Sequence, residues 1–233
     1  MDFENNLIQG IFIKRYKRFF VDVKVNNKIV TTHCPNPGSM LNLKKEGNVV
    51  WITKTKNQHR KLKYSLQIVE VENKKFCVNT HITNKIVNES LLKKKISILK
   101  NFNEIKPEQK FGKDTRFDFL LKETSTNKTA FLEVKSVTLN RNKNHAEFPD
   151  AITTRGTKHL NNLILANKQG YESYIMFLVQ FERCDSFGIA SDIDPEYFKT
   201  LESALRQNVK IICYDCKFSN KGIEINKEIK IKI

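Results

Sequence analysis

Arg116-Phe117-Asp118-Phe119-Leu120-Leu121 and Ala130-Phe131-Leu132-Glu133-Val134-Lys135, with the polar run Thr124-Ser125-Thr126-Asn127 between them, read as the two strands of an antiparallel hairpin. Centred between Ser125 and Thr126, such a hairpin sets Asp118 opposite Glu133. On that register Phe117, Phe119, Leu121, Ala130, Leu132 and Val134 share an apolar face. Asp118, Leu120, Phe131, Glu133 and Lys135 share the other. A slip of one residue scrambles both faces, so the pattern itself specifies the pairing. Two carboxylates directly across a strand pair repel. A divalent cation between them removes that penalty, and a hard cation such as Mg²⁺ or Mn²⁺ takes carboxylate oxygens while keeping waters for a substrate. Lys135 projects from the same face two residues after Glu133. Acids, a cation and a lysine on one face are what phosphodiester hydrolysis needs: the cation polarises the phosphate and activates water, and the lysine orients that water or neutralises developing charge. The same residues also read as a salt-bridged rim without chemistry. Glu108, after Pro107, is either a further metal ligand from a neighbouring segment or an acid at a helix start.

Outward from the hairpin, the C-terminal part alternates helix and strand. Helices are expected over 84–95, 154–167 and 195–207. The first ends in Lys93-Lys94-Lys95, which suits a helix C-terminus. The second carries Leu160, Leu163 and Ile164 as its apolar stripe, and the third starts on Pro195. Strands are expected over 173–181, 187–190, 209–216 and 223–233. Before residue 80 the reading is β throughout. Val21, Val23 and Val25 alternate with Asp22 and Lys24, Asn26-Asn27 makes a tight turn, and Ile29–Thr32 returns. Further strands are expected over 49–54, 64–72 and 76–79. Pro35-Asn36-Pro37-Gly38 is a rigid loop. Several short strands in so few residues fit a small barrel or sandwich. The expected organisation is therefore a β domain over residues 1–82 and a mixed α/β domain over 83–233.

The chain has 233 residues, with 41 Lys+Arg against 25 Asp+Glu, a formal net charge of +16. Such a charge speaks of partners, with nucleic acid first and anionic membrane surfaces second. Part of it also reflects a Lys/Asn/Ile-rich composition. Residues 1–80 hold 15 Lys+Arg and 6 Asp+Glu, so positive charge is densest in the smaller part. No apolar run approaches a membrane span, and Met1 to Gly10 does not read as a signal peptide. The expectation is a cytoplasmic protein with no membrane partner. Its five cysteines, Cys34, Cys77, Cys184, Cys213 and Cys216, are expected to be reduced thiols. Cys213-x-x-Cys216 reads as structural, and His33-Cys34 lacks the further ligands of a zinc site.

Three stretches are candidates for nucleic-acid contact. Arg15-Tyr16-Lys17-Arg18-Phe19 interleaves basic and aromatic residues. The segment with Lys54, Lys56, Arg60, Lys61 and Lys63 contains no acid. Positive grooves with stacking rings hold single strands, although Tyr16 and Phe19 also read as barrel core. In the helix from Thr154, Arg155, Lys158, His159 and Asn162 share the face opposite the apolar stripe and are placed to grip a phosphate beside the metal. His159 reads equally as a packed structural histidine.

Several longer motifs occur together and in order. They are Arg15-Tyr16-Lys17-Arg18-Phe19, His33-Cys34-Pro35-Asn36-Pro37-Gly38-Ser39-Met40, Cys77-Val78-Asn79-Thr80, Leu132–Leu139, Phe148–Ile152, Arg155-Gly156 and Lys158-His159-Leu160. In this the chain resembles the sugar fermentation stimulation protein A (SfsA) family, from about residue 8 to the C-terminus. The resemblance implies an N-terminal OB-fold barrel and a C-terminal nuclease-like domain of the PD-(D/E)xK type. It also implies DNA binding, single- or double-stranded, and a regulatory role in sugar (maltose) metabolism. Asp118 then takes the place of the motif's first acid, Glu133-Val134-Lys135 that of its ExK, and Glu108 that of an acid on the preceding helix. Phe117 stands where the motif has proline. Three functions follow as expectations: a divalent-metal-dependent nuclease, a non-catalytic DNA-binding regulator, and an RNA-binding OB protein.

Overall fold

The structure is a computed structural model and describes residues 1–3, 5–112 and 115–233. Its first layer is built from β1 (Leu7–Tyr16), β2 (Phe20–Val25), β3 (Lys28–His33), β4 (Val49–Lys54), β5 (Tyr64–Val71) and β6 (Lys74–Cys77). They form one antiparallel sheet in the order β3-β2-β1-β4-β5-β6. Alternation drives it: Val21 and Val23 are fully buried, and Lys24 between Val23 and Val25 is exposed. Asn26 and Asn27 take φ of +46° and +62°, the two left-handed positions that a two-residue hairpin turn requires. The sheet curls tightly enough that a Cβ on Gly10 would lie 2.5 Å from Val23 Cγ1. β3 then meets β5, but through two parallel pairs only, Thr32 with Tyr64 and His33 with Ser65. The expected barrel is thus joined at one corner and not closed along its length.

The second part contains α1 (Thr83–Leu92), β7 (Glu104–Phe111), β8 (Thr115–Glu123), β9 (Lys128–Val137), β10 (Leu139–Asn142), β11 (His145–Phe148) and α2 (Thr154–Lys168). It continues with β12 (Glu172–Val179), β13 (Ser186–Ile189), α3 (Pro195–Arg206), β14 (Lys210–Phe218), β15 (Ile223–Glu228) and β16 (Lys230–Lys232). A mixed sheet runs β15-β14-β12-β9-β8-β7, and a smaller one runs β10-β11-β13-β16. β12 is the central strand, parallel to both β9 and β14, and Ser173 to Val179 are all buried. A strand covered on both faces must be apolar throughout. Tyr174, Met176 and Leu178 pack with Ile86, Val87 and Leu91 of α1 on one side. Ile175, Phe177 and Val179 pack with Leu160 and Leu163 of α2 and Tyr197 and Leu201 of α3 on the other.

The parts are joined by more than the chain. Phe76 bridges to Phe181, the Cys77 amide donates to the Gln180 carbonyl at 2.8 Å, and one hydrophobic cluster spans both. At the chain's start, Asp2 bridges to Gly222 and the terminal amine pairs with Glu89 at 2.8 Å. The Pro35–Gly38 loop is a second strap. Arg15 donates to the carbonyls of Asn36 (2.7 Å), Gly38 (2.9 Å) and Ser39 (3.2 Å), and Asp150 accepts from the Met40 amide at 3.1 Å. Gly38 has no room for a side chain: a Cβ there would sit 2.4 Å from both Asp150 carboxylate oxygens.

Candidate functional site

The β8–β9 hairpin has the register read from its sequence: Phe119 pairs with Leu132, Leu120 with Phe131 and Leu121 with Ala130. The ladder stops one residue short of Asp118 and Glu133. Asp118 Oδ2 instead accepts from the Val134 amide at 2.7 Å, and Oδ1 accepts from Asn84 Nδ2, also at 2.7 Å. On the other side of β8, the ladder with β7 is interrupted between Pro107 and Gln109, where Glu108 has a φ of +55°. Asp118 thus sits where strand pairing is broken on both edges. The same break turns Phe117 away from Phe119: its ring lies 4.8 Å from that of Phe131, on the other side of the sheet from the expected apolar face.

Glu133 is 2 % exposed. Its Oε1 accepts from Lys135 Nζ at 2.6 Å and from His159 Nδ1. Arg155 Nε donates to His159 Nε2 at 3.3 Å, so that nitrogen is the acceptor and the ring proton is on Nδ1, facing Glu133. Glu133 Oε2 is buried and has no hydrogen-bond partner. Burial pushes the Glu133 carboxyl up, but the Lys135 charge and the bonds from His159 and Lys135 outweigh it and hold it below its ordinary value. Asp118 goes the opposite way, pushed up to about 6 by burial first and the Glu133 charge second. The pair is therefore two buried carboxylates, one with an unused oxygen and one paying for its charge, with a lysine beside them. That donor set fits a small hard cation held by two carboxylates and completed by water or phosphate oxygens.

Two expectations are corrected and one alternative is decided. Glu108 stands on strand β7 rather than a helix, is exposed, and pairs with Arg116 at 3.7 Å. Among the described residues no three His, Cys, Asp or Glu side chains converge as a metal group. His159, read equally as a phosphate-gripping residue on the open face of α2 and as a packed histidine, is the packed one: it is 9 % exposed and lies on Glu133, whereas Arg155 and Lys158 are exposed. Arg15, expected to face a nucleic acid, has its guanidinium on four backbone carbonyls, those of Arg18, Asn36, Gly38 and Ser39. Tyr16 donates to Asp22 and stacks on Phe20 at 5.6 Å. Lys17 and Arg18 are exposed in the turn before β2, and Lys54, Lys56, Lys61 and Lys63 are exposed at or near the loop between β4 and β5, with Arg60 half-buried. All five cysteines are free and buried.

Sequence reading missed the residues that hold the site from behind. Asn84, in the first turn of α1, donates to Asp118, and that bond spans 34 residues. Gln180 is fully buried. Its amide donates to Thr83 Oγ1 at 2.8 Å and to Ser136 Oγ, tying the start of α1 to the residue after Lys135. No local pattern marks either residue.

Beside Ser136 a cleft of about 450 Å³ opens between the two parts of the molecule. Arg18, Gly38 and Thr80 line it from one side and Ser136, Asp150 and Arg155 from the other. No helix among the described residues is long and apolar enough to cross a membrane.

Residues 13–78 match the family model described as the SfsA N-terminal OB domain, and residues 81–222 match the sugar fermentation stimulation protein RE domain. A sugar fermentation stimulation protein homolog of Pelagibacter ubique is 50% identical, covering 99% of each chain. One of Nitrosococcus oceani is 39% identical over the whole of both. Among solved structures, that of Pyrococcus furiosus SfsA in complex with Ca²⁺ superposes with a TM-score of 0.89 at 25% identity, covering 100% of this chain and 98% of the other. On the family models, the curated relatives and the shared fold together, the chain belongs to the sugar fermentation stimulation protein (SfsA) family.

Proposed function

We propose that the protein binds DNA and hydrolyses its phosphodiester bonds with a divalent metal, through a site of the PD-(D/E)xK type made of Asp118, Glu133 and Lys135. The observation that carries this reading is the buried, unpartnered Glu133 Oε2 beside an Asp118 whose carboxyl is pushed up to about 6. A protein gains nothing in stability from such an arrangement; a cation relieves it. Asp118 and Glu133 are the residues to hold Mg²⁺ or Mn²⁺, which when bound polarises the scissile phosphate. Asn84 and the Val134 amide fix the Asp118 carboxylate, and His159 and Lys135 fix Glu133 through one oxygen, leaving the other free. Lys135 brings a positive charge to the same point, where charge accumulates as the bond breaks. That the Pyrococcus furiosus relative is a complex with Ca²⁺, another hard cation with oxygen ligands, supports this reading.

The test is incubation of DNA with the purified protein and Mg²⁺ or Mn²⁺. Wild type cleaves, and Glu133→Ala and Lys135→Ala each lose at least about 100-fold in rate. Absence of cleavage, or equal cleavage in both variants, refutes the catalytic reading. One observation favours the second reading, a non-catalytic DNA-binding regulator: Glu108 faces Arg116, and among the described residues no third acid joins Asp118 and Glu133 as a metal group. Under it the metal raises thermal stability and no DNA is cut.

A further inference from the structure

Near the mouth of the cleft, three rings from three separate segments line up. Phe19, in the turn before β2, lies over His33 at the end of β3, with centroids 6.4 Å apart and planes within 23°. His33 is followed by His81, 6.3 Å away and tilted by 39°. Phe19 is 40 % exposed and His81 is exposed, so the row ends in open faces. It is also rigid. The Cys34 amide donates to the Phe19 carbonyl at 2.8 Å, and Thr80 donates twice to the Pro35 carbonyl, from its amide at 3.1 Å and its hydroxyl at 2.8 Å. Exposed aromatic surface held in place gains nothing from folding, since its ordering is not repaid by burial.

Position and charge say what covers it. Arg18, next to Phe19, and Thr80, next to His81, both line the cleft that also contains Arg155, whose Nε donates to the His159 that packs on Glu133 beside Lys135. His81 precedes Asn84 by three residues, a span of at most about 11 Å, and Asn84 holds Asp118. Burial, followed by the charges of Arg60 and His81, holds His33 below its ordinary pKa, so its ring is neutral and able to stack. Flat rings flanked by arginines that lead into a phosphate-processing site match unstacked bases on a charged backbone. The rings of a base-paired stack are not free to lie on such a row.

We propose that Phe19, His33 and His81 form a nucleobase-stacking platform that selects single-stranded nucleic acid and feeds it into the cleft beside Lys135. The platform rests on the nucleic-acid reading above but not on cleavage, so it is tested in EDTA, where no cutting occurs. Labelled oligo(dT) and a duplex of the same length are titrated with protein at one salt concentration, with anisotropy as the readout. Phe19→Ala and His81→Ala each lower affinity for the single strand by about 10-fold, while duplex affinity moves by less than about twofold. Phe19→Trp retains single-strand affinity, and its fluorescence falls on binding. Unchanged single-strand affinity in both alanine variants, or equal losses on single strand and duplex, overturns the platform. Binding to neither polymer overturns both readings. Selective binding by a protein that never cuts leaves the platform standing and removes only the nuclease.

Discussion

The β2–β3 and β8–β9 hairpins are built alike and finish differently. Both are antiparallel, both alternate apolar and polar residues, and both keep one register throughout. β2–β3 is paired from its turn to His33, and Asp22 on it is absorbed by Thr31 and Tyr16. β8–β9 stops pairing where its two acids meet, and an oxygen of Glu133 is left over. In one hairpin an acid is a half-buried residue whose hydrogen bonds are met. In the other the ladder is sacrificed so that two acids and a lysine can be presented together. A site is visible as the place where an otherwise regular element leaves its own hydrogen bonding incomplete.

The strongest test of that contrast is Asp118→Asn. Cleavage falls by at least about 100-fold, while the metal-free protein becomes more stable. The folded carboxyl titrates at about 6 against an ordinary 3.8, so the folded state disfavours the charged form. The resulting penalty is absent below the unfolded value and grows to its full size as pH rises through the folded one. Thermal melts in EDTA should show no gain for Asp118→Asn below about pH 4, and a gain at pH 7 of up to about 3 kcal/mol. A gain independent of pH would show that charge is not the cause.

His159→Ala removes one of two donors from Glu133 Oε1 and should cut metal affinity or rate by about 10–100-fold. Mg²⁺ titration of thermal stability measures the first and single-turnover cleavage the second. An effect under about twofold on both would make His159 a packing residue only. In the regular hairpin, Asn27→Ala puts a non-glycine, non-asparagine residue at a φ of +62° and should cost about 1 kcal/mol by denaturant unfolding. Cleavage per folded molecule should not change. The smallest effect belongs to the loop after β4. Lys56→Gln with Lys61→Gln should lower the slope of log affinity against log salt by about 1–2. An unchanged slope would place the phosphate contacts elsewhere.

Much of this hairpin was legible because alternation over Phe119–Leu121 and Ala130–Val134 admits one register. The second and third helices were legible for the same reason, since their burial is periodic, and the central strand was legible because it is an unbroken apolar run buried on both faces. β7 was not. Its sequence, with Pro107 in it and one buried residue, Phe111, lies at the sheet's edge and carries no apolar period, so Glu108 resembled a helix-start acid. His159 lies between Lys158, which is exposed, and Leu160, which is buried, and periodicity does not decide the side of a boundary residue. Asn84 and Gln180 reach the site across 34 and 44 residues, to Asp118 and Ser136, and such distances leave no trace in a local window.

The packing of Asp150 against Gly38 joins the fates of two positions 112 residues apart. A side chain at 38 is tolerable only after the carboxylate at 150 has been shortened or lost, so the order in which the two can change is constrained. Gly38→Ala alone should be deleterious, Gly38→Ala with Asp150→Gly far less so, and the same dependence applies to recombinants. A chimera that exchanges the first sheet between relatives must carry compatible residues at both positions. Without them the interlobe cleft is assembled from halves that never fitted each other.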